Sequence, residues 1–124
     1  AGIIVMDETT NMVMALWNLL RFYHHESCGQ CTPCREGSGW IEKLLGRIAQ
    51  GMGRPEDLDT IDQIANQACG HTICVFAEAF SWPAQSYLKK FRSEFEDHIR
   101  EGRAPHGGRL YAPLDEHLVG GASA

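Results

Sequence analysis

Three cysteines within one short run constrain this chain more than anything else in it. Cys28, Cys31 and Cys34 are separated by two residues each, inside Glu26-Ser27-Cys28-Gly29-Gln30-Cys31-Thr32-Pro33-Cys34-Arg35-Glu36-Gly37. Regular spacing among Gly, Gln, Thr and Pro is not the composition of a packed core. It does let one loop wrap three corners of an iron–sulfur cube, whose irons each take one thiolate. Gly29 permits unusual backbone angles near an inorganic core, and Pro33 fixes the turn while removing one amide donor. The remaining amides are then free to point at sulfur. A helix beginning at or just after Cys34 would turn its positive end toward the cluster's negative charge.

A cube needs a fourth ligand, and the segment Cys69-Gly70-His71-Thr72-Ile73-Cys74 offers two. Cys69 falls at the predicted end of a helix, where a small buried thiol packs well. Cys74 follows a Gly-containing loop able to bend toward the first three. Periodicity leans toward Cys74 without settling the choice. Three other chemistries compete at this point. A structural zinc site takes four thiolates, or three plus His71, but it usually pairs two C-x-x-C knuckles, and C-x4-C is a poorer second one. A thioredoxin-like redox pair needs a βαβ setting that the chain lacks. The thiols could also be plain packing.

Around the cysteines the hydrophobic pattern is helical. Val13, Leu16, Trp17, Leu20 and Tyr23 recur at helical spacing behind Thr9 or Thr10 as N-caps. Trp40, Ile41, Leu44, Leu45 and Ile48 form a second stripe, stopped by Gly51 and Gly53. Pro55 opens a third helix with Glu56 and Asp57 at its positive end, and Leu58, Ile61, Ile64, Ala65 and Ala68 as its buried face. The fourth helix is the longest: Ser81 or Trp82 caps it, Pro83 sits in its first turn, and Leu88, Phe91, Phe95 and Ile99 line one side. Its opposite side mixes Lys89, Lys90, Arg92, Glu94, Glu96 and Asp97, the pattern of a solvated surface. Gly2 to Met6 reads as one short strand, which cannot pair with itself. Beyond Gly102 the chain is punctuated by Gly and Pro as far as Ala124 and reads as an irregular tail. The expected fold is therefore all-α, a four-helix bundle with a loop-held cluster, a short N-terminal strand and an irregular C-terminal tail.

Charge and composition remove several classes of function. With 11 Lys+Arg against 16 Asp+Glu the net charge is −5, a poor match to a nucleic-acid backbone. No window of 18 apolar residues suggests membrane insertion. No basic flank with an apolar region and cleavage site directs export, and an odd count of 5 cysteines argues against a secreted disulfide scaffold, so a reducing, cytoplasmic setting is expected. Gly51-Met52-Gly53 lacks both the preceding strand and the third glycine of a dinucleotide fingerprint.

The run from Glu26 to Gly37, together with Gly70-His71-Thr72-Ile73-Cys74 and Trp82-Pro83-Ala84-Gln85-Ser86, resembles the flavoprotein subunit of bacterial NADH:quinone oxidoreductase (respiratory complex I). It also resembles the mitochondrial counterpart and the diaphorase subunits of NAD-linked hydrogenases and formate dehydrogenases. The resemblance runs from Ile4 to about Phe95. It implies a four-helix bundle holding one 4Fe-4S cluster on Cys28, Cys31, Cys34 and Cys74, with Cys69 left to packing or to a spare thiol.

By the same resemblance, FMN and NAD(H) belong to a preceding domain that is missing here. Residues 1–8 would be its end, 9–101 the cluster domain and 102–124 the tail. The implied role is an electron relay between that flavin and a neighbouring iron–sulfur subunit of a multi-subunit complex. The complex would lie on the cytoplasmic side of the inner membrane, with no nucleic acid involved. Arg35 is then a candidate to offset cluster charge or to pair with Glu36, His71 a loop hydrogen-bonder, and Trp40 and Trp82 a shield for the cluster or part of the core. A hydrogenase or formate dehydrogenase diaphorase, and a zinc-stapled structural domain, are the alternative readings.

Overall fold

The structure, a computed structural model, describes residues 2–102. The expectations for Ala1 and for a tail beyond Gly102 lie outside them. Helix α1 spans Met12–Glu26, α2 Thr32–Ala49, α3 Pro55–Ala68 and α4 Phe76–Glu101. Among the described residues there is no strand: 2–6 forms none, and Ile3 and Val5 are each 91% exposed. A β-branched run without a neighbouring strand has nothing to take its ladder hydrogen bonds, so local propensity alone does not make it a strand.

The start of α1 follows the best acceptor for its orphan amides rather than the first candidate in the sequence. Asn11, not Thr9 or Thr10, caps α1: its Oδ1 accepts from the Val13 amide at 2.9 Å and the Met14 amide at 3.2 Å. The two threonines instead fold into a turn over Asp7, whose Oδ1 accepts from Thr9 N at 3.1 Å and Thr9 Oγ1 at 2.7 Å. Helix α2 starts earlier than expected, with Cys31 as its N-cap and Pro33 in the first turn, so Cys34 lies inside the helix. Helix α3 opens on Pro55 as the sequence predicts, and Asp57 reaches back to accept the Arg54 amide at 2.8 Å.

Helix α4 also starts earlier, at Phe76 rather than at Ser81 or Trp82, and carries Pro83 in its interior. Pro83 supplies no N–H for the Ala79 carbonyl, a defect of about 3 kcal/mol in a helix interior. Burial of Ala77, Phe80 and Ala84 outweighs it. The helix kinks at Phe91 (φ −119°, ψ 24°). It ends on left-handed Gly102, whose amide donates to the His98 carbonyl at 2.9 Å.

Helix α1 packs on α2 and α4, and α3 packs on the same two. Helices α1 and α3 do not touch, so they occupy opposite corners while α2 and α4 meet between them. Val13, Leu16, Leu20, Ile41, Leu45, Ile48, Leu58, Ile61, Phe80 and Phe95 fill the centre. Trp40 (53% exposed) and Trp82 (63% exposed) lie outside it, so neither is a core residue. Asp57, buried, is clamped by Arg47 through Nε at 3.0 Å and through Nη2.

The turn between α2 and α3 depends on Gly51, which has φ +78°; a Cβ there would lie 2.5 Å from the Gly102 carbonyl oxygen. Gly51→Ala therefore combines left-handed strain with a backbone clash and is expected to lower stability by about 2 kcal/mol. A denaturant melt that left the midpoint unchanged would show that the two helix ends do not meet there.

Candidate metal centre

Helix α1 ends at the Ser27 amide, which donates to the Tyr23 carbonyl at 3.1 Å, and the chain turns through Gly29 at φ +78°. The turn is held on both sides. The Gly29 amide donates to Ser27 Oγ at 3.3 Å, and Arg35 Nη1 donates to the Gly29 carbonyl at 2.7 Å. Arg35 also forms the surface pair with Glu36, at 2.9 Å. The loop then delivers its thiols at three depths: Cys28 exposed, Cys31 half-buried at the α2 N-cap, Cys34 buried in the first turn. All three lie around the positive end of α2, where the unpaired helix amides attract negative charge.

The second loop runs from Cys69, the C-cap of α3, to α4. Gly70 takes φ +75°, the His71 ring Nδ1 bonds the Cys69 carbonyl at 2.9 Å, and Thr72 Oγ1 donates to the Cys74 carbonyl at 2.8 Å. His71 is thus a loop hydrogen-bonder, as expected. The two loops meet where the Ile73 amide donates to Cys31 Sγ at 3.4 Å, one residue before the exposed Cys74.

The sulfurs also share one electrostatic field. Burial pushes the Cys34 thiol up from its usual 9.0, the Ser27 hydroxyl 3.3 Å from its Sγ draws it down, and the charges of Cys74, Cys28 and Cys31 each push it up again.

Among the described residues, no three His, Cys, Asp or Glu side chains close on a point that would hold a single ion. A single zinc ion would be held about 2.3 Å from each thiolate. A cube with a separate iron for each cysteine holds its thiolates farther apart. The donor set, four thiols with amide and hydroxyl donors aimed at two of the sulfurs, suits that cube.

Beside the site another ion pair joins two of the helices. His24 Nδ1 pairs with Glu42 Oε2 at 2.7 Å, tying α1 to α2. Sequence reasoning missed Ser27, although it adjoins Cys28 in the motif. It also missed Glu78, whose place in the first turn of α4 is hidden once that helix is expected to begin at Ser81.

Residues 14–98 match the family described as the NADH-ubiquinone oxidoreductase-F iron-sulfur binding region. The chain belongs to this family. It is 47% identical over 112 residues to the NADH-ubiquinone oxidoreductase 51 kDa subunit of Neurospora crassa mitochondria, covering 90% of this chain and 23% of that one. NADH dehydrogenase [ubiquinone] flavoprotein 1 of Dictyostelium discoideum mitochondria is 46% identical over 101 residues, covering 82% and 21%. A bacterial relative, a component of the NADH-quinone oxidoreductase of Rhizobium meliloti, is 44% identical over 115 residues, covering 90% and 26%. The chain thus spans about a quarter of the length of these relatives, the portion that carries the 4Fe-4S cluster in this family. Among the described residues no helix is long and apolar enough to cross a membrane.

Proposed function

We propose that this iron–sulfur region relays single electrons within an NADH:quinone oxidoreductase, from FMN reduced by NADH elsewhere in the same polypeptide toward an iron–sulfur centre of a neighbouring subunit. Cys28, Cys31, Cys34 and Cys74 hold the cluster. The complex lies at the cytoplasmic face of the inner membrane. The observation that carries this reading is the meeting of the two loops: the amide beside Cys74 donates to Cys31 Sγ at 3.4 Å.

When bound, the cluster supplies one-electron chemistry at a potential that its surroundings set. The chain contributes the surroundings. Burial of Cys34 keeps water from one corner, and the α2 N-terminus offsets negative charge. Ser27 and the Ile73 amide donate to sulfur. Because Ser27 Oγ already accepts the Gly29 amide, its own hydrogen is free for Cys34 Sγ. A hydrogen bond to a ligand sulfur stabilises the more negative, reduced state. Ser27→Ala is therefore expected to lower the cluster potential by about 40 mV, the one-electron equivalent of about 1 kcal/mol. An EPR-monitored redox titration measures it, and an unchanged potential would remove Ser27 from the account.

Anaerobically prepared protein tests the whole reading. The expected material is brown, contains about four irons and as many labile sulfides per chain, and is reduced by one electron. A colourless, stable protein with one zinc per chain would replace the relay by a structural staple.

A further inference from the structure

We infer that Glu78, in the first turn of α4, is the positioning residue that closes the loop presenting Cys74. This rests on the ligand set proposed above. A carboxylate in the third helical position ordinarily turns back to the amide of its own N-cap. Glu78 instead reaches past Val75, and its Oε1 accepts the amide of Gly70 at 2.8 Å. Its Oε2 is buried with no hydrogen-bond partner among the described residues, so this is not a solvated surface charge that happens to pass a loop.

At the other end of the contact, a left-handed glycine after a helix commonly gives its amide back to that helix. Here the Gly70 amide crosses the loop, and it is His71 N that returns to the Ala68 carbonyl, at 3.2 Å. Nothing lies within 4 Å of a Cβ built on Gly70, so the glycine serves the backbone angle, φ +75°, that aims this amide. The Gly70–Glu78 bond therefore joins the end of α3 to the start of α4 and shuts a ring of backbone with Cys74 inside it. Without that bond the loop keeps the Thr72 hydroxyl on the Cys74 carbonyl and the Ile73 amide on Cys31, but its two ends are held together only by the packing of α3 on α4 behind it.

The test compares Glu78→Ala with Glu78→Gln in the full chain, loaded and handled anaerobically. Glutamine keeps an oxygen for the Gly70 amide and removes only the charge. Glu78→Ala is expected to release iron to a chelator about tenfold faster than wild type, the size expected of one charge-assisted hydrogen bond net of solvent. It should also accumulate three-iron clusters by EPR. Glu78→Gln should stay within about twofold of wild type, because the acceptor remains. Equal release from wild type and Glu78→Ala would overturn the inference and leave the relay intact, as would a Gln variant as leaky as the Ala variant.

If Glu78→Ala does not fold, amide exchange in the unaltered chain decides. Gly70 is expected to be protected, and exchange at the rate of an open loop would overturn the role of Glu78. A wild-type chain that takes up no iron–sulfur cluster would overturn both this inference and the reading beneath it.

Discussion

Replacing Cys74 with alanine is expected to leave the anaerobically prepared chain without a four-iron cluster, while Cys69→Ala keeps its full iron and sulfide. The two thiols share the Cys69-Gly70-His71-Thr72-Ile73-Cys74 segment, in which periodicity leans toward Cys74, and they sit differently in the structure. Cys69 is the C-cap of α3, half-buried, with its carbonyl engaged by the His71 ring. Cys74 is exposed on the loop whose preceding amide touches Cys31 Sγ, and its charge bears on Cys34. Removing one of four thiolates leaves one iron without a protein ligand, so iron should fall from about four to about three or fewer per chain. Cys69→Ala deletes only a small, partly buried side chain, and about 1 kcal/mol of stability is the expected loss. Iron and sulfide analysis together with EPR separates the outcomes. The reverse pattern, cluster retained without Cys74 and lost without Cys69, would reassign the fourth corner.

How much of this is legible in the sequence depends on the kind of signal. The buried faces are, because apolar side chains at helical spacing have one way to leave water together: Val13, Leu16 and Leu20, then Ile41, Leu45 and Ile48, then Leu58, Ile61, Ala65 and Ala68 are all buried. The cysteine motif is legible too, since its spacing is itself a geometric statement. What the sequence hides are the ends. Thr9 and Thr10 are as good caps in principle as Asn11, and only the bonds actually formed choose between them. Pro83 reads as a first-turn proline, yet buried Ala77 and Phe80 draw the helix start upstream of it. That shift conceals Glu78 and, with it, the closure of the Cys74 loop. Gly2 to Met6 has strand-like residues but needs a neighbour that its own composition does not specify.

The second large effect is expected at Phe80, far from any ligand in chemistry but not in consequence. Phe80 is fully buried, and its Cζ lies 3.8 Å from where a Cβ on Gly37 would stand. That glycine follows Cys34 in α2 by three residues, so the Phe80 ring fills the space where α2 and α4 cross just behind the site. A ring pair frames the same region: Tyr23 near the end of α1 meets Phe76 at the start of α4 edge-on, centroids 5.7 Å apart. The loops that carry Cys28, Cys31 and Cys74 therefore hang from helix ends that aromatic packing helps to hold in register.

Phe80→Ala should cost about 3–5 kcal/mol of stability by removing the ring and leaving a cavity, whereas Phe80→Leu, which keeps much of the volume, should cost about 1.5 kcal/mol or less. Because the cavity opens between the helices that set the loop separation, the Ala variant is also expected to lose its cluster more readily than the loss of global stability alone explains. Chelator release measured well below the unfolding midpoint tests that coupling. A Phe80→Ala protein that melts early yet, while folded, holds iron as long as wild type would show that the two loops keep their separation without the bundle beneath them.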